Sequence, residues 1–560
     1  MSTLLALATD VAAQTSPTTT PSSAPAAQSS RDSLPPVTAT GALTDVSAVE
    51  VRGFRFEGNH AIATQELNDV AERVRSQQPS TAMTFEQLEQ VRQAITAHYV
   101  DSGYINSGAI LPDQTIRDGL VLFRIVEGRL SEVHARTIGS GKAPGKPRLR
   151  KRYVAERIDS SGTLNVNRLR DELELLRQDS NIGQVNATLR PGVVAGESIL
   201  DVSATDAPLV GLEISFNNYH TPSAGAERFD AFLELRNPTG LGDSLAVNYG
   251  ITEGGWDSMQ WAGLDSIGLR YAVPITARGT TIAVDYQRSD DLVIEQPFAD
   301  LDVTSISDSF SLTVRHPIAR TPTRELALFA SAAYRTSETS LLGDPFSFEP
   351  GVIDGKISLT VLRFGAERIV STREDALTLR GSLNVGTDWF GSTNNGDDIV
   401  DSQFTYFLGQ AAYVHRFGDS DTRLAARGAF QLTTDSLPSL EQFPIGGHDT
   451  VRGYRENRLV RDNGVYGSLE FHVPLPGPQR EGHSIWEFVP FADAGYGTDM
   501  NSLGVEEDNF IASIGAGVIA NPIKPVHVEV FYGYPFQDFP NSDDLQDVGV
   551  HFWISWRTDF

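Results

Sequence analysis

The chain has 560 residues, with 72 Asp and Glu against 45 Lys and Arg, a net charge of −27 and no cysteine. Without cysteine there can be no disulfide or thiolate metal site, and the acid excess argues against nucleic acid, whose phosphates need a basic face. No run approaches the roughly 18 consecutive apolar residues of a membrane-spanning helix, a test that transmembrane β-barrels escape because their lipid-facing and lumen-facing residues alternate.

Residues 1–14 hold a short apolar run, Leu4-Leu5-Ala6-Leu7-Ala8, and an Ala12-Ala13-Gln14 step, a weak or truncated secretory leader that lacks a basic start. Residues 15–48 are rich in Pro, Ser, Thr and Ala. Such a segment cannot bury enough apolar area to offset its ordering entropy, so a disordered linker is expected.

Residues 49–129 and 130–206 then follow one plan twice. In the first, Val49 to Phe56 reads as a strand, Ile62 to Arg75 and Phe85 to Ser102 as helices, and Ile105 to Leu111 and Leu120 to Val126 as strands. Phe85, Leu88, Val91, Ile95 and Tyr99 fall at helical spacing, the pattern of ordinary core packing. In the second, Leu130 to Arg136 is the strand, Arg148 to Arg157 and Val166 to Gln178 the helices, and Gln184 to Arg190 with Ser198 to Ser203 the closing strands. Asn165 precedes the last helix as a fitting N-cap. Two successive β-α-α-β-β modules result.

Past Pro208 the period becomes two. Phe229, Ala231, Leu233 and Leu235 alternate with Asp230, Glu234 and Arg236, and Ile282, Val284 and Tyr286 with Thr281, Ala283 and Asp285. Alternating stretches begin near 209, 227, 242, 258, 278, 305, 322, 354, 374, 403, 421, 465, 485, 509, 524 and 546, which makes sixteen strands over 207–560. An even number of strands of about 10 residues suits a closed antiparallel transmembrane barrel. A soluble β-sandwich alternates as well, but the last strand weighs against it. Val548, Val550, Phe552, Ile554, Trp556 and Phe560 share one parity, and the aromatic Phe560 ends the chain as a C-terminal barrel signal.

The longest interval without a strand, about 434–464, holds Phe443-Pro444-Ile445-Gly446-Gly447 and then Val451-Arg452-Gly453-Tyr454. Downstream comes Phe491-Ala492-Asp493-Ala494-Gly495. On that strand Trp486, Phe488, Pro490, Ala492, Ala494 and Tyr496 form the lipid-facing set, so Asp493 points into the lumen. Upstream, Tyr99-x-x-x-Gly103-Tyr104 is followed by Leu111-Pro112-Asp113-Gln114.

With the two modules and the sixteen strands, these motifs resemble the TpsB family of two-partner secretion transporters (ShlB/FhaC/HecB-like haemolysin secretion and activation proteins), relatives of the BamA barrel-assembly proteins. The resemblance spans Val49 to Phe560. It implies that the modules are periplasmic POTRA modules, and that Val451, Arg452, Gly453 and Tyr454 sit at the tip of a loop folded back into the barrel. Phe491, Asp493 and Gly495 are then the inner-wall motif whose aspartate pairs with the loop arginine, while Tyr99, Gly103, Tyr104, Leu111, Pro112 and Gln114 mark the first POTRA module. Many members carry an N-terminal plug helix, for which residues 15–44 are too rich in Pro, Ser and Thr.

The implied function is export of an unfolded exoprotein (adhesin or haemolysin type) bearing an N-terminal secretion domain. The implied partners also include outer-membrane lipid and the barrel assembly machinery that inserts the chain. The client would dock by strand addition, for which Gln184, Val185, Asn186, Ala187, Thr188, Leu189 and Arg190 form the candidate edge. The alternatives are a BamA- or TamA-like assembly factor and a passive diffusion porin. Two modules and the Leu111-Pro112-Asp113-Gln114 match favour secretion.

An enzyme is not expected. There is no His-Glu-x-x-His, and the 11 histidines lack ligand spacing. In Gly139-Ser140-Gly141-Lys142-Ala143-Pro144-Gly145-Lys146 the glycine spacing is wrong for a P-loop, and Pro147 stands where a Ser or Thr would bind magnesium. Asp397-Asp398 and Glu506-Glu507 fall in expected loops, where solvation is the ordinary role. No cofactor and no metal site are expected.

Overall fold

The computed structural model describes residues 48–560 apart from 79, 117, 142–144, 195, 253–263, 297, 350, 396–399, 501–508 and 538–543. The leader, all but the end of the linker, and the acidic pairs Asp397-Asp398 and Glu506-Glu507 lie outside the described residues. The chain divides into two units, one holding both modules apart from residues 139–150, the other holding the barrel together with those residues.

The first module comprises β1 (Gly53–Glu57), α1 (Thr64–Ser76), α2 (Phe85–Asp101), β2 (Gly108–Ile110) and β3 (Leu120–Val126), with sheet order β1-β3-β2. Helix α2 begins in a capping box in which the Thr84 and Gln87 side chains serve each other's backbone N–H. From there Leu88, Val91, Ile95 and Tyr99, spaced three or four apart, turn one face onto Phe54, Val121 and Phe123 of the sheet. Phe85, expected in that face, is 73% exposed. It is the first residue after the Thr84 cap, where the chain is only entering the helix.

The second module comprises β4 (Arg129–Ile138), α3 (Lys151–Ala155), α4 (Val166–Arg177), β5 (Ile182–Pro191) and β6 (Glu197–Asp206), with order β4-β6-β5. The Asn165 side chain accepts from the N–H groups of Asn167 and Arg168 and so caps α4. The helix expected over Arg148 to Arg157 shrinks to α3. The Arg148 and Leu149 N–H groups donate instead to the Asp206 carboxylate, at 2.8 and 2.9 Å, which holds the chain out of the helix before Lys151.

The modules are bonded to each other. Glu127 accepts from the N–H groups of His60 and Ala61, both at 2.7 Å, from Tyr99 Oη at 3.0 Å, and from Thr163 Oγ1 of the second module at 2.9 Å. Asn106 Nδ2 donates to Gly196 O and Ser198 Oγ, and Asn165 Nδ2 to Ser102 O. At Gly103, φ +93°, a Cβ would come within 2.9 Å of Asn165 Oδ1, so only glycine lets the second module close here.

The barrel runs through β7 (Val210–Asn217), β8 (Arg228–Arg236), β9 (Ser244–Thr252), β10 (Leu264–Pro274), β11 (Thr281–Leu292), β12 (Thr304–Thr321), β13 (Arg324–Leu341), β14 (Lys356–Ser371), β15 (Asp375–Thr387), β16 (Thr405–Arg416) and β17 (Arg423–Thr433). A long loop carrying β18 (Phe443–Ile445) and β19 (Leu459–Arg461) follows. Then come β20 (Asn463–Pro474), β21 (Trp486–Thr498), β22 (Phe510–Ala520), β23 (Val526–Pro535) and β24 (Val550–Asp559). Among the described residues sixteen strands form one closed antiparallel barrel, with β18 and β19 paired separately within the loop. Leu269, Leu312, Phe364, Leu383, Phe407 and Ile514 are exposed on its outer face, whereas Ser266, Ser382, Asn384, Ser468 and Asp493 are buried on the inner one. This is the two-sided pattern of a barrel set in lipid.

Closure joins β24 to β7 from Trp553↔Asn217 to Asp559↔Gly211. Phe560 prolongs the ladder, donating its N–H to Val210 O at 2.8 Å and accepting from Val210 N at 3.2 Å. With an even strand number, the rim where the chain enters β7 is also the rim where it ends.

Burial alone would raise the Glu127 carboxyl, but donors from Ala61, His60, Thr163 and Tyr99 outweigh it and hold the group below the usual carboxylate range. A carboxylate depressed in the folded state stabilises above its unfolded pKa, near 4.3, and that stabilisation is lost as pH falls through the lower folded value. With a spin label on each module, acidification well below pH 4 is expected to broaden the inter-label distance distribution. Glu127→Gln should already be broad at neutral pH. A native distribution that stays narrow in acid would contradict this role for Glu127.

Candidate functional site

Eleven strands carry the chain from the entry rim to the far rim, so the loop 434–462 springs from the far end. From there it turns inward. Its β18 and β19 pair antiparallel, Phe443↔Arg461 to Ile445↔Leu459. Phe443, Ile445, Val451, Tyr454 and Leu459 bury themselves against Ala429, Tyr466 and Ile511 of the wall. Gly446 and Gly447, φ +115° and +93°, make the reversal toward the tip.

At the tip lies Arg452, fully buried. Its Nε and Nη2 donate to Asp493 Oδ2 and Oδ1, both at 2.8 Å, and its backbone N–H reaches Oδ2 at 3.1 Å. Nη2 also donates to Ser468 Oγ at 3.0 Å, and Nη1 pairs with Glu470 Oε1 at 2.8 Å. The guanidinium lies 3.7 Å from the Phe491 ring centroid and 5.0 Å from that of Phe531. A bidentate carboxylate, a second acid and two aromatic faces match the planar fork of arginine and not the point charge of lysine.

The wall motif explains itself in this geometry. On β21, Asp493 stands directly opposite Ser468 of β20. Phe491, one inward step away, supplies the aromatic face. At Gly495 a Cβ would collide with the Ile445 side chain and come within 3.2 Å of Val451, so the missing side chain is what seats the loop. At Gly453, φ +89°, the obstacle is backbone, because a Cβ there would meet Gly533 O at 2.8 Å. Its N–H donates to His551 Nε2 at 3.2 Å. Tyr454 Oη donates to Ala512 O at 2.8 Å and accepts from Phe536 N at 3.2 Å, and Val451 is buried.

Two further anchors escaped the sequence reading. Glu441, at the root of the loop, is buried against Arg335 Nη1 at 2.7 Å, Arg363 Nη2 at 2.8 Å and Tyr406 Oη at 2.5 Å, on β13, β14 and β16. Past the tip, Arg455 pairs with Asp547 and, at 2.8 Å, with Glu295. Strand parity held a signal for the first, since Arg335 and Arg363 are inward-facing cations that call for an acid. Nothing local pointed to Asp547.

Toward the entry rim the lumen keeps a cavity of about 490 Å³ lined by Arg423, Arg427, Glu470, His472, Glu487 and Glu529, charges of both signs that favour water. Among the described residues no group of His, Asp and Glu is arranged to hold a metal ion.

The remaining sequence-derived residues lie in the modules. Tyr99 is buried and bonded to Glu127, its ring 5.9 Å from that of Tyr104, while Gly103 is at the joint. Leu111 packs on the first core, and Pro112 and Gln114 follow β2. Gln184 to Arg190 lies within the edge strand β5. There Val185 is buried, Ala187 and Leu189 are half-buried, and Gln184, Asn186, Thr188 and Arg190 are exposed. Phe560 is at the barrel seam.

Two such modules and a closed barrel, its lumen occupied by a loop clamped at root and tip, define the POTRA-and-barrel class of outer-membrane proteins. The sequence profile of the haemolysin secretion/activation proteins ShlB/FhaC/HecB matches residues 196–520, and that of the ShlB-type POTRA domain residues 49–128. The chain belongs to this ShlB/FhaC/HecB family. It is 23% identical over 391 residues to the outer membrane transporter CdiB of Dickeya dadantii, a match covering 69% of this chain and 66% of the relative. To the heme/hemopexin transporter protein HuxB of Haemophilus influenzae it is 24% identical over 90% of this chain and 85% of that one. The solved structure of CdiB from Escherichia coli superimposes with a TM-score of 0.68 at 19% identity, over 98% of this chain and 95% of that one. The alignments with CdiB relatives span just under two thirds of those proteins' length, 65 to 66%.

Removing one partner of a buried ion pair costs about 3–5 kcal/mol because the other charge is stranded. Arg452→Ala and Asp493→Ala are each expected to lower stability by that order in denaturant unfolding of the solubilised protein. The double variant should fall short of their sum by about 1–3 kcal/mol. Strict additivity would mean that the two groups are not coupled.

Proposed function

We propose that this chain is an outer-membrane translocation pore, with its POTRA modules in the periplasm, that recognises an unfolded partner exoprotein and exports it by two-partner secretion without hydrolysing nucleotide. The observation that carries this reading is the lumen loop. A pore built only for solutes would not need an obstruction held by a bidentate ion pair at its tip and by Arg335 and Arg363 at its root. Such a loop can leave as a unit if its polar contacts are exchanged for those of a passing chain. On the entry side the lumen keeps a cavity of about 490 Å³ lined partly by charged side chains.

The client's N-terminal secretion domain would add an extended segment to the edge of β5, from Gln184 to Arg190, where backbone hydrogen bonds supply affinity with little demand on sequence. The partner would then thread past the displaced loop, and its folding outside would make return unfavourable. Every role named here is one of binding, orienting or gating, so no reaction is catalysed and no cofactor is called for.

A barrel-assembly factor that templates client strands needs a free strand edge in its wall. In this barrel the β7–β24 seam is bonded from Val210–Phe560 to Asn218, whose N–H donates to Phe552 O at 3.3 Å and whose Oδ1 accepts from Phe552 N at 2.8 Å. That favours export over assembly. A passive porin has no use for two bonded modules.

With Arg452→Ala, secretion of the exoprotein is expected to fail while the barrel still inserts. Unchanged secretion would sink the gating role, and loss of both would assign Arg452 to folding. Single-channel recordings with and without purified client separate this pore from a diffusion porin.

A further inference from the structure

The first module ends its sheet in an unusual way. Strand β2 pairs with β3 through Gly108↔Val126, Ala109↔Ile125 and Ile110↔Arg124. The next partner for Leu122 would be Pro112, which has no N–H to donate, so the ladder cannot continue. The Gln114 carboxamide takes its place. Its Nε2 donates to Leu122 O at 2.8 Å, and its Oε1 accepts from Leu122 N at 2.7 Å.

On the outer side of β2 only Ala109 turns its backbone away from β3, and both of its groups are taken by α2. Ala109 N donates to Thr96 Oγ1 at 3.1 Å, and Arg92 Nη1 donates to Ala109 O at 3.2 Å. Thr96 can accept because its own hydroxyl proton goes to Arg92 O, at 3.0 Å. Gly108, where a Cβ would lie 3.0 Å from Thr96, lets the helix come this close. Four hydrogen bonds from three side chains thus occupy the backbone groups on the β2 side of this sheet at which an added strand could start.

The second module is the contrast. Its edge strand β5 has 10 residues, and among the described residues no side chain caps its outer edge. A row of unpaired N–H and C=O groups is what a strand-adding partner needs.

We propose that Arg92, Thr96 and Gln114 form a seal on the β2 edge of the first module that denies strand addition there and so favours β5 over β2 for an incoming extended segment. The Leu111-Pro112-Asp113-Gln114 motif is then a specificity element: Leu111 anchors the turn in the core, Pro112 stops the ladder and Gln114 closes it. The seal accounts for where a client can dock, and it rests on the reading that clients dock by strand addition.

The test uses the full chain in lipid nanodiscs, with a photoreactive amino acid at position 110 or 188 and, as probe, a biotinylated octapeptide of alternating Thr and Val. In the unaltered chain, adducts are expected at 188 and not at 110. Gln114→Ala should speed amide exchange at Leu122 by about tenfold, the size of a lost hydrogen bond, and should bring adducts to 110. Thr96→Val, which keeps the shape and removes the acceptor, should do the same at Ala109 if Gln114→Ala fails to fold. Adducts at 110 in the unaltered chain would overturn the seal, as would none there in either variant despite faster exchange. Absence of adducts at 188 with the 110 pattern as expected would instead overturn docking on β5 and leave the seal standing.

Discussion

An arginine stripped of water inside a protein wall is tolerable only if its charge and its N–H groups are met by fixed partners. Arg452 meets Asp493 through two side-chain bonds and its own backbone N–H, then Ser468, Glu470 and two aromatic faces. The rest of the lumen follows from that demand. The polar partners Asp493, Ser468 and Glu470 lie on adjacent strands, β20 and β21, so the register between them is part of the site. The loop must bring its tip flush with the wall, which requires glycine at 453 and 495 and a φ that other residues resist. A single buried charge therefore ties loop conformation, strand register and lumen occupancy together.

The same demand explains why the clamp fixes the position of the loop. A buried pair is poor as a source of net stability, because desolvating both charges cancels much of their attraction. It is good at specifying one position, because any slightly displaced position strands a charge. The Glu441 node applies this at the root of the loop with the signs reversed, an acid on the loop between two wall arginines. Root and tip are held by opposite charges on the loop, an acid at Glu441 and a base at Arg452.

What could be read from the sequence follows from what is periodic. Alternation placed strand starts at 227 and 374 where β8 and β15 begin at 228 and 375, because a wall with lipid on one side and polar lumen on the other fixes every second residue. The same parity turned Asp493 inward, and it is 3% exposed. Local capping was also legible, as at Asn165. Non-local competition was not. The expected helix from Arg148 lost its first turn to Asp206, more than fifty residues away. Glu441 could not be matched to Arg335, 106 residues upstream, without knowing that the loop bends into the lumen. Alternation says which way a side chain points and stays silent on which loop comes to meet it.

The modules and the barrel manage strand edges in opposite ways, and the difference bears on function. Among the described residues the barrel leaves no edge open, since the seam is bonded through to Phe560. The first module spends three side chains to close its β2 edge, and the second leaves β5 uncovered. An open edge is a hazard, because any extended chain, including another copy, can add to it. Its retention at one place, when the neighbouring module shows how cheaply side chains can cap such an edge, is better explained by use than by neglect. The bonding at Glu127 joins the module that carries the sealed β2 edge to the module that carries β5.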